Sequence, residues 1–144
     1  MSNLTFWHHH GGLSVPDLDA AIAWYGSKLG FRLEKRFLIP TIPAEVAMMV
    51  NGDCRMEIFQ ADGAAPLPDS RREPNSDVKV HGNKHVAFCI HDVLAFAEEL
   101  KRRDVDIVWV HKFEFGANIF IRDCAGNLIE FLEGPPSLGV VSNL

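Results

Sequence analysis

The first half of this chain recurs in its second half, displaced by 75 positions at the opening histidine. His10-Gly11-Gly12-Leu13-Ser14-Val15-Pro16-Asp17-Leu18 lies over His85-Val86-Ala87-Phe88-Cys89-Ile90-His91-Asp92-Val93. Each copy starts with His, alternates through apolar residues and reaches Asp seven positions later. Alternation of this length reads as a half-buried strand, and the Asp stands where a helix needs an N-cap. Leu18, Ala21, Ile22, Tyr25 and Leu29 then share one helical face, closed by Gly30. In the second copy Val93, Phe96, Ala97 and Leu100 do the same. Three short strands follow each helix, near 31–38, 45–50 and 54–60, and near 106–111, 117–122 and 127–133. Asn51-Gly52 and Gly126-Asn127 are turn dipeptides between the last two strands of each copy. The expected fold is α+β: two βαβββ modules, module one at 6–61 and module two at 85–133, with a linker at 62–84 and a tail at 134–144. The linker is rich in Pro, Ala, Asp, Asn and Arg and is expected to be irregular.

The acids complete the repeat. Glu57 interrupts the apolar strand Cys54–Phe59, and Glu130 interrupts Leu128–Leu132. His and Glu are 47 positions apart in one copy and 45 in the other. An ionised carboxylate in an apolar strand is costly unless paired or metal-bound. Two imidazoles and two carboxylates suit one divalent ion (Zn, Ni, Mn, Co or Fe) and leave positions for water or substrate. The expected metal ligands are therefore His10, Glu57, His85 and Glu130.

The segment from His10 through Val15-Pro16-Asp17-Leu18 and Trp24-Tyr25 to Leu29-Gly30-Phe31 resembles the opening motif of the vicinal oxygen chelate superfamily, the glyoxalase, bleomycin-resistance and extradiol-dioxygenase group. Phe120-Ile121-Arg122-Asp123-Cys124-Ala125-Gly126-Asn127-Leu128-Ile129-Glu130-Phe131 resembles its closing motif. The resemblance covers about 10–133 and implies paired modules forming a cupped mixed sheet around the metal. The family's ligand positions fall on the same four residues. Departures are Gly11 where a β-branched residue is common, Trp24 in place of Phe, and Cys124-Ala125 in place of Pro-Asp. Homodimers are common in the family, and some members build the site between modules of different chains.

The resemblance implies an isomerase, epimerase or lyase that stabilises an enolate-like intermediate of a small oxygenated substrate, with Glu130 or Glu57 as the base. Glutathione-dependent glyoxalases carry Arg four residues after the first His and Asn four after the first Glu; Ser14 and Ala61 stand here. Methylmalonyl-CoA epimerases usually place Gln where Glu57 stands. The second reading is an Fe(II) extradiol-type dioxygenase using His10, His85 and Glu130. The third is a non-catalytic drug-binding resistance protein, against which the intact tetrad argues.

Composition excludes other classes. The formal charge is −5, and the basic groups Arg71-Arg72 and Lys101-Arg102-Arg103 adjoin acids, so nucleic acid is not an expected partner. No apolar run is long enough for a membrane span. Met1–Trp7 lacks the pattern of a signal peptide, and the cytoplasm is the default location. Cys54, Cys89 and Cys124 are too scattered for a disulfide framework and read as reduced, mostly buried thiols. Candidate substrate contacts are His8, placed on the face of His10 by strand alternation, with Phe59, His111 and Lys112. Arg71 and Arg72 would meet an anionic substrate if the linker folds over the site.

Overall fold

The computed structural model describes residues 4–114 and 116–134. The tail expected at 134–144 thus lies, beyond Gly134, outside the described residues. Module one runs β1 (Gly11–Ser14), α1 (Leu18–Leu29), β2 (Arg32–Ile39), β3 (Ala44–Asn51) and β4 (Cys54–Ala61). Module two runs β5 (Val86–Ile90), α3 (Val93–Arg102), β6 (Asp106–Phe113), β7 (Gly116–Arg122) and β8 (Leu128–Glu133). Each module closes its own four-stranded mixed sheet, ordered β1-β4-β3-β2 and β5-β8-β7-β6. The first strand runs parallel to the last, and the other pairings are antiparallel. Even the irregularities repeat: a register shift falls between Leu33 and Lys35 and again between Ile107 and Trp109.

Both helices start as the repeat predicts. Asp17 accepts from the Ala20 N–H and Asp92 from the Ala95 N–H, each at 2.9 Å. Gly30 ends α1 in the left-handed region, φ 72°, which a side chain would resist. The inward faces of both modules enter one apolar core that includes Leu18, Tyr25, Met56, Ile58, Leu100, Ile119 and Ile129.

The modules dock through equivalent positions. Gly11 and Val86 each follow the ligand-type histidine of their copy, and they meet: a Cβ built on Gly11 would sit 3.3 Å from Val86 Cγ2. A side chain at 11 would therefore press more tightly than usual on its counterpart, and the glycine leaves that room. Phe31 packs against Phe88, ring centroids 5.9 Å apart. The Asn127 amide donates to Ser14 O at 3.2 Å, and the buried Tyr25 hydroxyl donates to Asp123 at 3.0 Å. Asp123 also accepts from Ala125 N and Asn127 N, 2.9 Å each, so its charge is fully engaged.

The linker is more ordered than its composition suggests. It carries a 3-10 turn (Asp69–Arg71) and a single helical turn, α2 (Pro74–Asp77). Its anchor is Asp77, 1 % exposed, which accepts from Arg71 Nε at 2.9 Å while Lys84 Nζ donates to its backbone carbonyl at 2.7 Å. Arg122 of β7 donates to Arg72 O at 2.8 Å and pairs with Glu73. These pairs supply the order that the apolar pattern does not. The expectation of buried thiols is corrected: Cys54, Cys89 and Cys124 are all exposed. Cys54 opens a strand, Cys89 alternates outward on β5, and Cys124 sits in the β7–β8 turn. Among the described residues no helix is long and apolar enough to cross a membrane.

Candidate metal and substrate site

The four predicted ligands come together in pairs. Gly12 is in register with Glu57, and Ala87 with Glu130. The histidine lies two positions before the registered residue in both copies, so backbone geometry delivers one imidazole to each carboxylate. His10 Nε2 lies 3.1 Å from Glu57 Oε2, and His85 Nε2 lies 3.0 Å from Glu130 Oε2. Side-chain exposure is 34 and 20 % in the first pair and 25 and 16 % in the second, so both are open to a ligand. Among the described residues no three His, Cys, Asp or Glu side chains form a group that could hold a metal ion, although Gly11 and Val86, the residues after His10 and His85, lie against each other.

The donor set itself fits a divalent ion. Each pair offers an imidazole nitrogen and a carboxylate oxygen from adjacent strands, and two such pairs supply four ligands with two negative charges.

The surroundings of the pairs differ. On module two, His85 meets Phe120 edge-to-face at 4.8 Å, Phe120 meets Trp109 at 5.2 Å, and Trp109 stacks on His111 at 4.7 Å. Asn118, opposite His111, donates from Nδ2 to Glu130 Oε1 at 2.8 Å. Asn118 Oδ1 and Trp109 Nε1 are buried without a partner among the described residues. On module one the face of Glu57 carries Met48 and Phe59, and Lys35 lies over the Phe37 ring at 5.5 Å.

The remaining candidates sort by strand parity. Phe59 follows Glu57 by two on β4 and shares its face, half-buried. His111 lies on the Glu130 face through Asn118. Lys112 pairs with Ala117, a core residue, and belongs to the opposite parity. His8 is exposed, and β1 begins only at Gly11, so alternation does not extend back to it. His9 is the neighbour that touches the site: its Nδ1 lies 2.6 Å from His10 Nδ1. Arg71 is committed to Asp77 and to Asn83 O. Asn118 escaped sequence reading, although the signal existed. It is a polar residue interrupting an apolar strand, as the two glutamates are.

Comparison with known proteins matches the sequence to a family model. The sequence model of the Glyoxalase/Bleomycin resistance protein/Dioxygenase superfamily matches residues 7–131. Human mitochondrial methylmalonyl-CoA epimerase is 25 % identical over 128 residues, 85 % of this chain and 70 % of that protein. A glyoxalase family protein from Enterococcus faecalis superposes with a TM-score of 0.73 at 20 % identity, covering 88 % of this chain and 97 % of that one. The trypanothione-dependent glyoxalase I of Leishmania major gives 0.68 at 20 % identity, covering 90 and 87 %.

Proposed function

Because the chain belongs to the glyoxalase/bleomycin resistance protein/dioxygenase superfamily, we propose that it is a metal-dependent epimerase, isomerase or lyase acting on a small oxygenated substrate, with each site built from two copies of the chain. The carrying observation is the repeated His–Glu pair, formed in each module, with no larger group of such side chains among the described residues. His10 and Glu57 of one protomer would face His85 and Glu130 of its partner. Exposed Leu4, Phe6 and Trp7, just ahead of His10, offer apolar surface that a second copy would cover. The similarity to a methylmalonyl-CoA epimerase supports a reaction that moves a proton next to a carbonyl.

When bound, the divalent ion would supply stabilisation of negative charge on a substrate oxygen. The chain's residues do the rest. Glu57 or Glu130 takes a proton from the carbon beside that oxygen and returns it. The wall of Phe120, Trp109 and His111 shields the reacting carbon from water and orients the substrate.

Two experiments test this. Purified protein loaded with Zn, Ni, Co or Mn should exchange solvent deuterium into a ketone or thioester substrate; bound iron with oxygen uptake would instead favour the dioxygenase. A chain carrying His10→Ala and Glu57→Gln, mixed with one carrying His85→Ala and Glu130→Gln and refolded together, should regain one intact site per heterodimer although neither binds metal alone. No recovery in the mixture sinks the two-copy site.

A further inference from the structure

Superposing the two copies by register puts Met48 where Phe120 stands, because they oppose Glu57 and Glu130, and puts Val46 where Asn118 stands, because they oppose Phe59 and Leu132. The repeat therefore keeps both carboxylates but supports only one. Glu130 is held twice, by His85 on Oε2 at 3.0 Å and by the Asn118 amide on Oε1 at 2.8 Å. Among the described residues Glu57 has no side-chain partner besides His10.

Asn118 carries a cost that its counterpart avoids. Its Oδ1 is buried without a donor, which costs the desolvation of a polar acceptor with no hydrogen bond in return. The amide cannot turn over to relieve this, since Oδ1 would then face the Glu130 carboxylate. Valine fills the same position in module one, fully buried, so the fold accepts an apolar residue there. Retention of the amide points to the carboxylate it holds.

We propose that Asn118 is the positioning residue of Glu130, and that it makes His85–Glu130 the pre-set half of the metal site, while His10–Glu57 adjusts to complete it. This rests on the metal reading above and adds an order to it. Partners that orient a ligating carboxylate change metal affinity by roughly 10- to 100-fold.

The test uses the full chain and two variants, Asn118→Leu, near-isosteric and without polar atoms, and Asn118→Asp, of similar shape without the donor. Co(II) titration should show affinity falling at least tenfold in both, with a shifted Co(II) absorption spectrum. The metal-free melting temperature of Asn118→Leu should stay level or rise, which a purely structural role does not give. Crystals of the metal-free Asn118→Leu protein should show Glu130 displaced from His85. Glu130 unmoved, or cobalt affinity and spectrum unchanged, overturns the positioning role. Failure of the unsubstituted protein to bind Co(II) is a separate result: it removes the metal reading and the order built on it, while the metal-free crystal structure still decides whether Asn118 holds Glu130.

Discussion

Asp123 ties the β7–β8 turn to module one through Tyr25. It is buried and accepts from Tyr25, from two backbone N–H groups and from the Asn127 amide. Tyr25→Phe removes one donor of several, and urea unfolding should register a loss of about 1–2 kcal/mol. Asp123→Ala strands every donor at once and should cost about 3 kcal/mol or more by the same measurement. At the Gly11–Val86 contact the prediction is conditional. Gly11→Val overpacks by about 1–3 kcal/mol, and adding Val86→Ala should restore most of it. A double variant no more stable than Gly11→Val would show that the side chains do not meet. Residues of this kind are hard to see in sequence. Asp123 was visible only as part of a turn motif, and Gly11 only as a departure, because both act across the two modules.

Strands and helices were far more legible. Both α1 and α3 begin at the predicted Asp caps, and the strands follow the predicted spans within a residue or two at most ends. Their information is local: alternation, helical faces, caps and turn glycines. The linker was not legible because its order comes from charge rather than periodicity. The Asp77 anchor needs Arg71 and Lys84 folded around it, and no repeat announces such a knot. At its far side Arg72 lies against Gly126, where φ is 89° and a Cβ would come 2.6 Å from Arg72 Nη1. Gly126→Ala is thus disfavoured chiefly by the backbone, the Arg72 guanidinium being the movable end of a long side chain. It should lower stability by about 1–3 kcal/mol, and Arg72→Ala in the same chain should recover only the contact part. Full recovery would mean that the backbone carries no strain.

For the molecule as a whole, two acids contribute to the decline at alkaline pH. Burial, then the Asp123 charge, raises the Tyr25 hydroxyl well above its ordinary value. Cys124 is exposed as a residue, but partial desolvation of its thiol, followed by the Asp123 charge, pushes it up to about 11. Both groups keep their protons more tightly folded than unfolded. Their contribution is complete below the ordinary thiol value of roughly 9 and is lost as pH climbs toward and beyond 11. The melting temperature should decline over that interval, less steeply in a Tyr25→Phe, Cys124→Ser variant; parallel declines would exclude both groups. The proposed metal tetrad belongs to this scale too. Sequence could pair His with Glu within a module, since one register fixes both. It could not say whether two pairs meet in one chain, because that depends on how whole modules dock.

The glycine-to-valine contact at that docking seam makes the halves complementary without making them alike. Two copies of module one would leave a gap at the seam, and two copies of module two would set Val86 against Val86. Split between modules and expressed as separate pieces, the chain should therefore reassemble as a mixed pair in preference to either matched pair. Duplication supplied the symmetry of this protein, and a single missing side chain gives it a left hand and a right hand.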